Sequence, residues 1–277
     1  MTPAGFSEPA KKHLGQHFLH DQRVIDRIVN AVNPRPGEAL VEIGPGQGAI
    51  TFPLLHRHGE LTVIEFDRDL IAPLTAAAEG AGTLRILHRD VLSVDFTALA
   101  EGLAAAGGNR IRLVGNLPYN LSSPILFHAL DHAAAITDMT FMLQKEVVDR
   151  MAAGPSSKVY GRLGVMLQAF CNVVPLFTVP PGAFRPPPKV DSAVVRLVPL
   201  PPEQVRVEDR ALFARVVREA FGQRRKTLRN ALSATCDAEA IEAAGLSPQA
   251  RAEQVPVDGF IGLANLLAHR DASTGRD

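Results

Sequence analysis

Ala39-Leu40-Val41-Glu42-Ile43-Gly44-Pro45-Gly46-Gln47-Gly48 decides the fold. A short apolar run ends in three closely spaced glycines, the pattern of a buried parallel strand entering a tight turn. Glycine there tolerates a positive φ and lets main chain approach a ligand closely. Gly44, Gly46 and Ala49 also fit the dinucleotide spacing GxGxx(G/A), so the loop alone leaves the nucleotide open. Outward from this turn, strand and helix patterns alternate. Upstream, Val24, Ile25, Ile28, Val29 and Val32 follow helical spacing. Downstream, the pattern predicts helices over 50–57, 70–78, 125–135 and 146–152. It predicts strands over 61–65, 84–88, 111–114 and 139–144, with late strands over 173–179 and 192–198. That alternation predicts an α/β fold with a doubly wound parallel sheet.

The stretch Val198-Pro199-Leu200-Pro201-Pro202 is a stiff break, and strand signals stop after it. Leu212, Val216, Val217, Ala220 and Phe221 then recur at helical spacing, with further helices expected over 224–233, 238–244 and 257–269. The expected division is a sheet domain over 1–200 and a small all-helical domain over 201–277.

Composition narrows the class. The 277 residues are 46% hydrophobic, enough for a packed core. Lys+Arg and Asp+Glu both number 29, so any nucleic-acid surface must be a local patch. Cys171 and Cys236 are far apart, which argues against a disulfide framework or a cysteine zinc site and for a reducing compartment. The first residues lack a signal-peptide core and look disordered through residue 12. No run of 18 apolar residues occurs, so a cytoplasmic protein without a membrane span is expected. His128 and His132 stand four apart, yet no third ligand accompanies them, and no metal is expected.

Three strand ends carry polar groups suited to a nucleoside ligand. Glu65 ends the second core strand, where a carboxylate can accept both hydroxyls of a ribose. Asp90 follows the third, where it can accept from an adenine amino group. Asn116-Leu117-Pro118-Tyr119 follows the fourth. Ligands of open α/β sheets bind outside these carboxyl ends. The Asn116 side-chain oxygen and the Leu117 carbonyl can accept two N–H bonds from the amino group of a flat base. That draws the nitrogen toward tetrahedral geometry and frees its lone pair for methyl transfer, while Tyr119 offers a face for stacking. Asp67 and Asp69 read as helix N-caps.

With these residues in place the chain resembles the bacterial small-subunit (16S) ribosomal RNA adenine N6-dimethyltransferases. The resemblance runs from about Lys12 to the C-terminal helices. It rests on Leu14-Gly15-Gln16-His17-Phe18-Leu19, Val41 to Gly46, Val63-Ile64-Glu65-Phe66-Asp67 and Gly115 to Asn120. Met142 to Val147, Phe184 to Ser192 and Phe221 to Leu228 complete it. It implies a Rossmann-like methyltransferase domain that uses S-adenosylmethionine. His17, Leu19, Gly44, Glu65, Asp90 and Asn116 would hold that cofactor. Asn116, Leu117, Pro118, Tyr119 and Phe184 would hold the target adenine, with Phe184 stacking opposite Tyr119. One departure stands out: the family commonly carries Asn where this chain has His17.

The resemblance further implies dimethylation of two adjacent adenines in a hairpin loop near the 3′ end of the small-subunit RNA, within an immature particle; a monomer is the default expectation. Residues 215–229 hold six basic side chains against Glu219, so Arg224, Arg225, Lys226 and Arg229, with Lys189, are the expected RNA contacts. Three alternatives stay open at this point. One is a methyltransferase of large-subunit (23S) RNA of the antibiotic-resistance type. Another is an assembly-monitoring factor for which methylation is secondary. A nicotinamide oxidoreductase would fit the glycine loop but leave Asn116–Tyr119 unexplained.

Overall fold

The computed structural model describes residue 11 and residues 16–103, 110–223 and 225–274. The expected disorder over residues 1–12, apart from Lys11, which is described and paired with Asp67 and Asp69, the motif residues Leu14 and Gly15, and the expected RNA contact Arg224 lie outside the described residues.

In chain order the elements begin with β1 (Phe18–Leu19), α1 (Gln22–Val32), β2 (Ala39–Ile43) and α2 (Thr51–His58). Then come β3 (Glu60–Glu65), α3 (Arg68–Ala77), β4 (Thr83–His88), α4 (Phe96–Gly102) and β5 (Ile111–Asn116). Next are α5 (Ser122–Asp131), β6 (Ile136–Gln144), α6 (Lys145–Ala152), α7 (Arg162–Gln168) and β7 (Cys171–Val179). The chain closes with β8 (Phe184–Arg185), β9 (Ser192–Pro199), α8 (Arg210–Gly222), α9 (Leu228–Ala231), α10 (Ala238–Ala243) and α11 (Val257–Thr274).

Seven strands form one sheet in the order β4-β3-β2-β5-β6-β9-β7. The first five neighbours run parallel, and β9 returns antiparallel against β6. The chain therefore builds outward from β2 to the β4 edge, then crosses back to lay β5 on the other side of β2. This reversal between β2 and β5 is where doubly wound sheets bind ligands. Gly115 makes the close approach possible, since a Cβ there would lie 2.5 Å from the Ile43 carbonyl oxygen.

The central strands are buried on both faces, which is why they read as continuous apolar runs rather than alternating ones. Helix boundaries follow capping chemistry. Asp21 accepts from Arg23 N and Val24 N to start α1, and Asp95 accepts from Thr97 N and Ala98 N to start α4. α1 packs its stripe of Val24, Ile25, Ile28, Val29 and Val32 into the core and ends at Asn33 in the left-handed region, φ 45°. There Arg112 of β5 donates to the Val32 carbonyl at 2.7 Å while holding Asp138 of β6 bidentately at 2.8 Å and Glu38 at 2.6 Å.

The chain divides into two compact units, residues 1–148 with 174–199, and residues 149–173 with 200–277. Sequence patterning grouped 149–173 with the sheet, but these residues belong to the second unit. The reason is packing: α7 lies against α8, and an aromatic chain runs through this unit. Phe170 meets Phe213 edge-on at 5.9 Å, and Phe221 contacts Tyr160 at 6.0 Å and Phe260 at 5.6 Å. Tyr160, a turn residue by sequence, is buried and donates its hydroxyl to the Val255 carbonyl. No described helix is long and apolar enough to cross a membrane.

Candidate active site

At the β2–β5 reversal the first unit holds a cavity of about 220 Å³, lined by the turns after β2, β3, β4 and β5 and by residues 16–19. Glu65 presents its carboxylate here in a fixed pose. Oε1 accepts from Asp67 N at 2.7 Å and Oε2 from Gly46 N at 3.3 Å, leaving lone pairs on both oxygens. Burial raises the Glu65 pKa above the usual carboxylate value and the nearby Asp67 charge adds to this, while the backbone N–H groups of Asp67, Gly46 and Phe66 oppose it. Asp90 caps a short 3₁₀ turn through Oδ1, which accepts from Leu92 N at 2.9 Å, and its side chain stays exposed at the cavity. Its capping role and its availability as an acceptor therefore coexist.

Asn116 ends β5. Its Nδ2 donates to the His17 main-chain oxygen at 3.1 Å. With the amide nitrogen engaged, Oδ1 is the acceptor left for a ligand. Leu117 N donates to the Met142 carbonyl at 3.1 Å, which pins the Leu117-Pro118 turn to β6. Tyr119 follows, half-buried, its hydroxyl 2.8 Å from Ser192 Oγ. Burial raises its phenol pKa, and the Ser192 hydrogen bond lowers it in part.

Residues 16–19 form a strap across this opening. Gln16 Nε2 donates to Asp67 Oδ2 at 2.9 Å, and Lys11 Nζ pairs with Asp67 at 2.6 Å and Asp69 at 2.5 Å. The Phe18 ring packs on Gly46 (φ +57°), where a Cβ would sit 3.2 Å from it. The strap continues as β1, paired antiparallel with β8. The His17 imidazole stacks on the Tyr119 ring, its Nδ1–H donating to the Pro186 carbonyl at 2.8 Å.

The structure thus brings His17, Leu19, Gly44, Glu65, Asp90, Asn116, Leu117, Pro118 and Tyr119 to one cavity. Phe184, expected to stack opposite Tyr119, does not line it. Its ring is 2% exposed and sits in the core beside Leu19, because the β1–β8 ladder covers it and a phenyl ring gains most from full burial. Lys189, Arg225, Lys226 and Arg229 are all exposed.

Sequence reasoning passed over three groups. Phe66 is 61% exposed and lines the cavity directly after Glu65, an apolar face left in water where a ring could stack; its place after a strand-end acid was the available signal. Asp67 does more than cap α3, since it also holds Lys11 and Gln16. Glu42 is 1% exposed, accepts from Thr51 Oγ1 at 2.6 Å, and has its pKa pushed up to about 8 by burial and by the Glu65 charge; a lone acid inside an apolar strand was its mark. His128 and His132 are bonded locally, to the Val94 carbonyl and the Thr97 hydroxyl, and no group of three metal-ligating side chains occurs among the described residues.

Comparison with known proteins places this geometry. The family model described as ribosomal RNA adenine dimethylase matches residues 8–269. The chain belongs to the ribosomal RNA adenine dimethylase family. A relative from Xanthomonas axonopodis pv. citri, named ribosomal RNA small subunit methyltransferase A, is 73% identical over 95% of this chain and 98% of its own. A relative of the same name from Xanthomonas campestris pv. campestris is 72% identical over the same shares. Among solved structures, a dimethyladenosine transferase from Plasmodium falciparum shares the fold with a TM-score of 0.75 at 23% identity, covering 89% of this chain and 96% of that one. The 23S rRNA methyltransferase ErmE superposes with a TM-score of 0.68 at 25% identity, covering 91% and 99%.

Proposed function

We propose that this chain uses S-adenosylmethionine to dimethylate the exocyclic N6 of adenines in small-subunit (16S) ribosomal RNA. The reading extends to two adjacent adenines in a hairpin loop near the 3′ end, modified by a monomer within an immature particle in the cytoplasm. The observation that carries it is the orientation of Asn116. Asn116 lines the cavity with its amide nitrogen engaged by His17, which leaves its oxygen as the acceptor beside the pinned Leu117-Pro118 turn. Family membership and the names of the 73%- and 72%-identical relatives support the small-subunit substrate over the large-subunit one.

The residues present fit the cofactor. Its ribose hydroxyls and adenine amino group are donors, and Glu65 and Asp90 offer fixed acceptors in the same cavity, with Phe66 as an apolar face for the ring. When bound, S-adenosylmethionine supplies a methyl group made electrophilic by its sulfonium. The chain supplies alignment. Asn116 Oδ1 and the Leu117 carbonyl accept the two N6 hydrogens, which lifts the nitrogen lone pair out of conjugation, and Tyr119 stacks on the base. Each transfer replaces one N–H by N–CH₃ and releases one proton to water. Positioning of this kind supplies much of a rate. Loop adenines suit the site because they cost less to splay out than paired ones.

The exposed cations Arg215, Arg218, Arg225, Lys226 and Arg229 of the second unit, with Arg224 in the same stretch, are the proposed phosphate contacts; Lys189 of the first unit adds to them. The test is methyl transfer from labelled S-adenosylmethionine to small subunits lacking the modification, followed by mass spectrometry of the RNA. Dimethyladenine is expected with the unsubstituted chain and not with Asn116→Ala. Transfer to large-subunit RNA alone would overturn the reading.

A further inference from the structure

The two side chains assigned to the target base, Asn116 and Tyr119, are each held by neighbours that have no assigned part in binding that base: Asn116 by the His17 main chain, Tyr119 by Ser192 and the His17 ring. Ser192 is fully buried, with its Oγ 2.8 Å from the Tyr119 hydroxyl. It is the first residue of β9, and its main chain is registered against Gln144 of β6. The turn carrying Tyr119 is tied to the same strand through Leu117 N and the Met142 carbonyl. Both ends of the hydroxyl pair therefore take their position from β6. The face of the Tyr119 ring is set as well. The His17 imidazole lies against it at 5.5 Å between centroids and 26° between planes, and its Nδ1–H is fixed by the Pro186 carbonyl. A half-exposed tyrosine without such partners would sample several rotamers and would lose that freedom only on meeting the base.

We propose that Ser192 and the His17 side chain are positioning residues that set the Tyr119 ring in advance as the platform for the target adenine. This rests on the assignment of Tyr119 to the base site. Through its side chain His17 thus lays an aromatic ring against the Tyr119 ring. Its main-chain oxygen serves Asn116 whatever the side chain. The same residue thus serves both base-binding groups, one through backbone and one through its ring.

The chain has no tryptophan and two tyrosines, Tyr119 and Tyr160. Tyr160→Phe therefore makes Tyr119 the sole emitter, and its fluorescence anisotropy reads the freedom of that ring. Ser192→Ala and His17→Asn in this background are expected to lower the anisotropy. In the otherwise unsubstituted chain, Ser192→Ala is expected to lower kcat/KM for the RNA substrate roughly three- to tenfold, the loss of one hydrogen bond. Its cofactor Kd and thermal midpoint should be unchanged. Tyr119→Phe should match that loss, and the double variant should add nothing to it, because both remove the same interaction. Unchanged anisotropy with unchanged kcat/KM in Ser192→Ala would overturn the proposal. So would a loss of cofactor affinity and stability in step with activity, which marks general loosening. Absence of dimethyladenine with the unsubstituted chain would instead sink the functional reading, and the anisotropy would still decide the positioning.

Discussion

The Asn116 side-chain amide and the His17 main-chain oxygen are joined at 3.1 Å across 99 residues of chain. This bond couples residues 16–19, which line the cavity, to the group proposed to receive the target base. It also fixes which end of the amide faces the cavity. Asn116→Asp keeps acceptors at this position but removes the donor, and sets a carboxylate against the His17 carbonyl. Its transfer rate is expected to fall as far as that of Asn116→Ala, roughly 100- to 1000-fold, the range for losing one preorganised polar group at a reacting atom. Single-turnover kinetics on undermethylated subunits measures this. An Asp variant with near-normal rates would show that the donor is dispensable.

Phe66 presents a large apolar face to water at the cavity rim, with 61% of its surface exposed. The adenine ring of the proposed cofactor would bury that face. Phe66→Ala should weaken S-adenosylmethionine binding by about 1–3 kcal/mol, the worth of one base–aromatic stack. It should leave the thermal midpoint in place, since so exposed a ring contributes little to the core. Calorimetric titration together with a melting curve separates the two effects.

Arg112 sits 9% exposed between Asp138, 13% exposed, and Glu38. It also caps the last turn of α1 through the Val32 carbonyl. Arg112→Ala removes the bidentate partner of a largely buried carboxylate and leaves Asp138 with only the longer contact to Arg196 Nε at 3.7 Å. The expected loss is about 3–5 kcal/mol of stability, read by urea unfolding. Since Arg112 lies away from the carboxyl ends of the strands, the folded variant should bind cofactor with normal affinity.

The parallel sheet was legible because each central strand is an apolar run long enough to register alone. Several helices also begin at an aspartate cap, with Asp21 before α1 and Asp67 before α3 as clear cases. Glu65, Asp90 and Asn116 were legible for a related reason: strand ends of a doubly wound sheet converge by topology, so position along the chain implied proximity. The two-residue strands β1 and β8 were not legible. Their ladder joins Phe18 to Arg185 and Leu19 to Phe184 with no local periodicity to betray it. The burial of Phe184 follows from that ladder and was lost with it. Asp67 was read as a finished N-cap, and nothing local shows that its second oxygen fastens Gln16. The segment 149–173 continues the alternation of the sheet in pattern, yet it packs its aromatic residues with the helices after 200.

Glu42 gives the site a pH signature. Its carboxyl is buried beside Glu65, and its pKa rises from the usual 4.5 to about 8. A group whose folded pKa exceeds its unfolded one keeps its proton in the folded state while the unfolded chain has already released it. Between pH 4.5 and about 8 the folded state thus binds the extra proton, and stability falls as pH rises through that window. The contribution is complete below the lower value and gone above the higher. Glu42→Gln carries a neutral isostere through the whole range and can still accept from Thr51. Its thermal midpoint is expected to match the parent chain near pH 5 and to exceed it increasingly from pH 6 to 9. Parallel melting curves across that range decide the matter, and a parent chain whose midpoint tracks that of Glu42→Gln at every pH would show that the buried carboxyl does not hold its proton.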